Sequence, residues 1–92
     1  MGVTKVRDRR GRRARLRLPM ILRCNACNEP HTRGTRLIAF KEDLTAGERH
    51  LSAVKVFRFY FRCTSCSAEI AYKTDPENSD YIVEAGATRQ LE

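Results

Sequence analysis

Four cysteines are the residues of this sequence whose type and spacing most clearly point to chemistry. They form two Cys-x-x-Cys pairs, and 35 residues separate the first pair from the second. Two intervening residues let both sulfurs of a pair converge on one point, and zinc takes four such ligands at tetrahedral corners. We therefore predict one structural zinc ion held by four thiolates. The predicted ligands are Cys24, Cys27, Cys63 and Cys66.

Other uses of the cysteines fit the sequence less well. Disulfides belong to oxidising compartments, and the basic N-terminus has no apolar run behind it that would make it a secretory signal. A thioredoxin-like redox motif needs a strand-to-helix context, which neither pair has. His31 or His50 could replace a cysteine as a ligand, but four cysteines make this unnecessary, and we expect both histidines at the surface.

Neither catalysis nor membrane insertion is indicated. The sequence has no paired carboxylates, no Ser/His/Asp set and no phosphate-binding glycine loop, and a closed four-cysteine site leaves no position for a catalytic water. No stretch approaches the roughly 18 apolar residues that a bilayer crossing requires. We predict a soluble, intracellular protein that is not an enzyme and has no small-molecule substrate.

Positive charge is concentrated at the N-terminus. Of the 18 basic residues, nine lie within residues 1–23 with a single acid, whereas residues 24–92 carry nine bases and ten acids. Like charges repel and bury no core, so we predict a disordered or extended arm over residues 1–17. Guanidinium groups suit RNA phosphates, although a solubilising or nuclear-import role is an open alternative. The candidate RNA-binding residues are Arg7, Arg9, Arg10, Arg12, Arg13, Arg15 and Arg17.

Hydrophobic alternation predicts several short antiparallel strands beyond this arm. Residues 35–41, 53–62, 68–74 and 81–83 are predicted strands, and Gly86 should end the last of them. Residues 16–22 are predicted to form an edge strand or an irregular extended segment, because Pro19 cannot donate to a ladder. Residues 41–51 are polar and are predicted to be a loop or a single helical turn. The expected fold is a small β-rich zinc ribbon, with two Cys-x-x-Cys knuckles, over residues 18–90.

The strand over residues 53–62 has two distinct faces. Phe57, Phe59 and Phe61 should point into the core. The opposite face carries an arginine, a tyrosine and a second arginine, at positions 58, 60 and 62. This face could be an ordinary solvated surface or a basic, stacking-capable surface for nucleic acid.

Two stretches resemble a known family. They are residues 57–70, which contain the second cysteine pair, and residues 73–81, which read Lys-Thr-Asp-Pro-Glu-Asn-Ser-Asp-Tyr. They are similar to the zinc-binding N-terminal domain of the Yju-type pre-mRNA splicing factors, in the coiled-coil-domain family. The surroundings of the first pair fit as well, including Arg23, the Arg33-Gly34 turn and residues 41–43, so that the resemblance covers residues 18–90.

This resemblance implies a non-enzymatic, nuclear subunit of the spliceosome. Such a subunit would bind and position the branch helix and the 5′ splice site RNA to promote the first, branching step of splicing. Its implied partners are spliceosomal proteins, small nuclear RNAs and the pre-mRNA intron. The alternative is a protein–protein adaptor whose basic arm serves only nuclear import.

The sequence departs from the family pattern in two places. It lacks the aromatic, proline- and aspartate-rich stretch that usually precedes the zinc domain, and it ends before a helical coiled-coil tail. The sequence is therefore either a reduced homologue or part of a longer protein.

Overall fold

The computed structural model describes residues 11–44 and 55–91, and these ranges form eight β-strands in two antiparallel sheets. None of the described segments has the helical length and apolar character that a membrane crossing requires. A short 3-10 turn, Pro76–Asn78, joins two of the strands. The strands are β1 Arg12–Arg17, β2 Ile21–Cys24, β3 Pro30–His31, β4 Arg36–Asp43, β5 Phe57–Arg62, β6 Glu69–Asp75, β7 Asp80–Ala85 and β8 Ala87–Gln90.

The chain leaves the first sheet after one strand and later returns to it. The larger sheet has the order β1-β4-β5-β6-β7 and the smaller one β3-β2-β8. Two backbone hydrogen bonds close the excursion between β1 and β4, from Leu18 N–H to the carbonyl of Thr35 and from Gly34 N–H to the carbonyl of Leu18, each 2.8 Å. The predicted β-rich, antiparallel class is confirmed.

One hydrophobic core contains side chains from both sheets. Strands β4 and β6 contribute the side chains expected from their alternation, since Ala39, Ile70 and Tyr72 are buried and Leu37 packs against them. The smaller sheet adds Leu22 and the linker adds further apolar groups. The buried cluster comprises Leu18, Met20, Leu22, Cys24, Ala39, Phe61, Cys63, Ile70, Tyr72 and Ala87.

Strand β5 follows its predicted alternation only in part. Phe61 is buried and Phe59 packs against the core, stacked on Tyr72 with ring centroids 5.1 Å apart. Phe57 lies at the end of the strand, where the ammonium of Lys41 is 4.3 Å from its ring centroid. Tyr60, on the opposite face, is also buried, and its hydroxyl donates to Glu42.

The predicted arm is not confirmed over the part that the structure describes. Residues 12–17 form strand β1, which pairs with β4 over six consecutive residue pairs. The disordered alternative is wrong for this segment, because alternation places Leu16 on the core side while the arginines on either side of it remain exposed. Residues 1–10 lie outside the described residues.

The C-terminal end contains a strand that the sequence did not indicate. The predicted strand over residues 81–83 is the centre of the longer β7, and Gly86 ends it as expected, with φ +83°. The chain then continues into β8, which pairs with β2, so the expectation that residues 81–83 form the last strand is wrong. The predicted loop over residues 41–51 begins inside β4, and residues 45–54 lie outside the described residues.

Candidate metal centre and basic face

Each Cys-x-x-Cys pair lies in a tight turn, and the two turns have the same backbone hydrogen bonds. In the first, Asn28 N–H donates to the carbonyl of Cys24 over 2.8 Å, and Cys24 N–H donates to the carbonyl of Glu29 over 3.0 Å. In the second turn, the backbone N–H groups of Ser67 and Cys63 donate the two equivalent bonds, to the carbonyls of Cys63 and Ala68, and each bond is 2.9 Å long. Asn28 and Ser67 have φ values of +69° and +66°. Asparagine tolerates this left-handed conformation better than most residues, so the turn chemistry is favourable in the first pair.

The two turns bring the four sulfurs together. Cys24 Sγ lies 3.7 Å from Cys66 Sγ, and Cys27 Sγ lies 3.6 Å from Cys63 Sγ. All four sulfurs lie within 4.8 Å of one another, and none is in a disulfide. A tetrahedron with metal–sulfur distances of about 2.3 Å has sulfur–sulfur edges of about 3.8 Å. The two shorter distances are close to this edge length, and the four cysteines could hold a metal ion.

The pKa values of the two thiols of the first pair are shifted in opposite directions. The backbone N–H of Cys27 lowers the pKa of the Cys24 thiol to about 7, even though this thiol is buried. For Cys27, the backbone N–H of Glu29 favours the thiolate, but burial and the adjacent sulfurs outweigh it and raise the pKa to about 12. Four neighbouring thiolates repel one another, and a bound divalent cation removes that repulsion.

His31 is not at the surface, which corrects the prediction. It lies in β3 opposite Leu22, its side chain is buried, and its ring meets that of Phe61 edge to face at 6.1 Å. Its Nε2 has no hydrogen-bond partner among the described residues. The pairing of β3 with β2 causes this burial, and no local pattern around His31 indicates it. His50 lies outside the described residues.

The C-terminal hairpin connects the two cysteine turns. Asn25, inside the first pair, donates its backbone N–H to the carbonyl of Gly86 over 2.9 Å, and its side chain accepts from the Thr88 hydroxyl over 2.8 Å. Gly86 in turn packs closely on β6, where an added Cβ would lie 2.1 Å from the carbonyl oxygen of Glu69. This contact places the corner between β7 and β8 beside the strand that follows the second pair.

The arginines of β1 divide between the two faces of the larger sheet. Directly paired residues of antiparallel strands share a face. Leu16 and its partner Leu37 pack on the core. Side chains alternate along a strand, so the residues on either side of each leucine belong to the opposite, outer face. On the outer face, β1 and β4 present Arg13, Arg15, Arg17, Arg36, Ile38 and Phe40, a set that we call the arginine face. Arg12 lies on the core side, and Arg7, Arg9 and Arg10 lie outside the described residues.

The arginine face has no compensating acids. Across residues 11–44 and 55–91, no carboxylate forms an ion pair with any of its four guanidinium groups. All four arginines are exposed, and Arg17 stands directly opposite Arg36 in the ladder. Like charges in this position destabilise a strand pair, which makes the face a local concentration of positive potential.

Two other basic groups of the outer face, Arg58 and Lys73, are paired with acids. Arg58 Nε donates to Glu84 Oε1 over 2.6 Å, and Arg58 Nη1 lies 3.4 Å from Glu42 Oε1. Lys73 Nζ lies 3.7 Å from Glu84 Oε2, and the Tyr60 hydroxyl donates to Glu42 over 2.7 Å. The hydrogen bond between Arg58 and Glu84 raises the pKa of the arginine and lowers the pKa of the carboxyl.

These contacts bear on the two interpretations of strand β5. Two of its three outward-facing side chains are paired with acids, and the third, Arg62, donates to the carbonyl of Ser67 over 3.1 Å. This pairing favours an ordinary solvated surface over a nucleic-acid platform. The sequence could not separate the two, because Glu42 and Glu84 come from β4 and β7.

Fold and site together define a small β-rich domain, built around four clustered cysteines that could hold a metal ion, with one strongly basic sheet edge. The sequence model of the family described as "Saf4/Yju2 protein" matches residues 4–92. The chain belongs to this family. The resemblance stated from the sequence is therefore confirmed.

The chain is similar to several curated relatives. It is 48% identical over 75 residues to the splicing factor YJU2 of Dictyostelium discoideum, covering 82% of this chain and 22% of that protein. It is 46% identical over 78 residues to the mouse protein of the same name, covering 85% and 24%, and 44% identical to that of Schizosaccharomyces pombe, covering 85% and 28%. The chain thus spans about a quarter of the length of these relatives.

Proposed function

We propose that this chain is a non-enzymatic, nuclear subunit of the spliceosome that binds and positions the branch helix and the 5′ splice site RNA for the branching step. Family membership and the identity to proteins named splicing factor YJU2 support the spliceosomal part of this proposal. Its partners would be spliceosomal proteins, small nuclear RNAs and the intron. In this role the protein holds RNA in place and supplies no catalytic group.

The four cysteines are proposed to bind one structural Zn²⁺. Their sulfur–sulfur distances fit a tetrahedral thiolate site, and zinc is the metal most typical of four cysteine ligands. Bound zinc would supply a fixed tetrahedral junction between the two turns. The residues around it then hold β2 and β8 against the end of β5 and the start of β6, which gives the basic sheet edge a rigid support.

The observation that carries the RNA-binding part is the arginine face. Its guanidinium groups are exposed, fixed to a sheet and free of described acidic partners, whereas the basic groups on the rest of the same face are paired. Guanidinium groups without internal partners are available to phosphates. The proposed RNA-binding residues remain those of the N-terminal segment: Arg7, Arg9, Arg10, Arg12, Arg13, Arg15 and Arg17.

A protein–protein adaptor is the second candidate function. The specific observation in its favour is that Ile38 and Ile82 are 54% and 42% exposed on the outer face. Apolar side chains of this size at the surface can anchor a protein partner. In that case the arginine-rich segment would act only in nuclear import.

Salt dependence separates the two candidates. Binding of the zinc-loaded chain to labelled RNA should weaken linearly on a plot of log affinity against log salt concentration, with a slope of about −0.7 per phosphate contacted in a single strand. A flat response would exclude phosphate binding and favour the adaptor. In purified spliceosomes, crosslinks from the N-terminal segment to intron or small nuclear RNA are expected, and their absence would contradict the positioning role.

A further inference from the structure

We infer that the arginine face is a site for single-stranded RNA, in which the arginines bind successive phosphates and the adjacent apolar side chains contact unstacked bases. This inference rests on the proposed RNA-binding function and assigns the arginine face to single-stranded segments of that RNA rather than to the branch helix, which is a duplex. It also brings in three residues of β4 that lie outside the arginine-rich segment, namely Arg36, Ile38 and Phe40.

The first argument is the regular spacing of the charges. Arg13, Arg15 and Arg17 alternate along one strand, so their Cα atoms are separated by about 6.8 Å, which is twice the rise per residue. An extended single strand of RNA presents its phosphates at comparable intervals. Because β1 is held along its whole length by β4, the backbone of the row is ordered before the ligand arrives, and only the side chains lose conformational entropy on binding.

The second argument is the pair of arginines at the end of this row. Arg17 and Arg36 are direct partners in the ladder, and neither has a described acid to neutralise it. A phosphate between the two guanidinium groups would convert their repulsion into two charge-assisted hydrogen bonds. Binding of a polyanion therefore relieves a repulsion at this face, which it would not do at a set of isolated surface arginines.

The third argument is the apolar surface between the charges. Ile38 is directly opposite Arg15 and is 54% exposed, and the half-buried Phe40 is opposite Arg13. Arg13, Ala14, Arg15 and Ile38 line a shallow cleft of about 320 Å³. Apolar and aromatic side chains beside guanidinium groups suit the faces of unstacked bases. A duplex keeps its bases stacked inside and would leave Ile38 and Phe40 without a role.

The neighbouring ion pairs mark the limit of the site. Beyond Phe40 the outer face passes to Tyr60 and then to the network of Arg58, Glu42 and Glu84, where each basic group has an acid. A polyanion would meet no unpaired positive charge in this network. The RNA is thus confined to β1 and β4.

The test compares two exposed isoleucines and two pairs of basic residues in the full, zinc-loaded chain. The probe is a fluorescein-labelled oligouridine of about ten nucleotides, measured by anisotropy over a series of salt concentrations, beside an RNA duplex of equal length. The variants at the face are Ile38→Thr and the double variant Arg15→Gln/Arg36→Gln. The matched controls are Ile82→Thr and Lys73→Gln/Arg89→Gln, which remove one isoleucine and two positive charges from elsewhere on the surface.

We expect the arginine double variant to bind oligouridine at least about ten-fold more weakly and to lose about 1.4 from the salt slope, since two phosphate contacts are removed. Ile38→Thr should weaken binding about five-fold with an unchanged slope, because it removes a base contact only. Neither control should change affinity to this extent, and the duplex should bind more weakly than oligouridine.

Other results would overturn the inference in distinguishable ways. If the wild-type chain binds oligouridine but the face variants match their controls, the site is wrong while RNA binding stands. If the duplex binds as tightly as oligouridine and Ile38→Thr has no effect, the assignment to single strands is wrong. If the wild-type chain binds neither RNA at low salt, the proposed function itself fails.

Discussion

The sulfur of Cys27 lies 3.6 Å from the sulfur of Cys63, although the two residues are 36 positions apart in the chain. Cys27 lies in the turn after β2 and Cys63 in the turn after β5, and two equivalent backbone hydrogen bonds close each turn. The C-terminal hairpin, with its contacts to Asn25 and Glu69, also brings the two turns together. The proposed metal thus stands at the junction of elements that are distant in sequence.

Removal of the metal should unfold the chain. Zinc binding to such sites is coupled to folding, with apparent free energies on the order of 10 kcal/mol. We expect one zinc per chain by native mass spectrometry, and loss of the cooperative thermal transition after chelation. Because protons compete with the metal for thiolates, zinc should be released more readily as the pH falls. A chain that still melts cooperatively without metal would contradict the structural role.

Replacement of Cys63 should have the same effect. Cys63→Ser removes a buried sulfur that also accepts the backbone N–H of Ser65 over 3.4 Å, and oxygen is a poor substitute in a thiolate site. We expect loss of bound zinc and of most of the folded population by circular dichroism. Ser65→Ala, in the same turn but exposed, is the matched control and should keep both.

Gly86→Ala should be far more destabilising than Gly34→Ala. Both glycines have positive φ values, +83° and +88°, so both substitutions impose a backbone cost of about 1–2 kcal/mol. Only at Gly86 would the new Cβ also meet a backbone oxygen, at 2.1 Å, whereas nothing lies within 4 Å of that position at Gly34. We therefore expect a loss of about 3 kcal/mol or more at Gly86 by denaturant unfolding. Equal losses would show that the close packing of the hairpin on β6 is unimportant.

The ion pair between Arg58 and Glu84 should contribute to stability but not to RNA affinity. A double-mutant cycle with Arg58→Met and Glu84→Gln should give a coupling free energy of about 0.5–1 kcal/mol, since both side chains are partly exposed. The double variant keeps the net charge of the wild type, so its oligouridine affinity should be unchanged. Weaker RNA binding by this variant would move the site toward strand β5.

The same coupling should depend little on pH near neutrality. Arg58 lowers the pKa of Glu84 from its ordinary value of 4.5, so the pair stabilises the fold above that value, and the contribution is lost only as pH falls through the lower, folded value. Between about pH 8 and about pH 5 the carboxyl stays charged, and the coupling should be constant. A coupling that declines across this interval would mean that the contact does not lower the pKa.

His31→Phe should be tolerated, whereas His31→Ala should not. Phenylalanine can keep the edge contact with Phe61 and removes the buried Nε2, which lacks a described partner and carries a cost of about 1–3 kcal/mol. Alanine would leave a cavity and destabilise the fold by about 2 kcal/mol or more. Zinc content should remain one per chain in both variants. Loss of zinc in His31→Phe would indicate that the imidazole takes part in metal binding.

Several features were predictable because their causes are local. The spacing within each Cys-x-x-Cys pair depends on a single turn, and the alternation in β4, β5 and β6 reflects which side of one strand is buried. The end of β7 at Gly86 follows from the conformational freedom of glycine. The family-specific run over residues 73–81 could also be recognised directly. It covers the end of β6, the exposed 3-10 turn that Pro76 opens, and the start of β7.

The sequence by itself determined the cysteine pairs, the concentration of arginines before residue 18 and the β-rich class, because residue type and short-range spacing are sufficient for these. Only the tertiary structure decided that residues 12–17 form the edge of a sheet, that His31 is buried, and that the Arg58 side of the sheet is neutralised while the arginine face is not. The physical reason is that these outcomes depend on strand neighbours. The neighbours that decide these outcomes are β4 beside β1, Phe61 beside His31 and Glu84 beside Arg58. They come from separate parts of the chain, and the charge or burial of a side chain is set by what they place beside it.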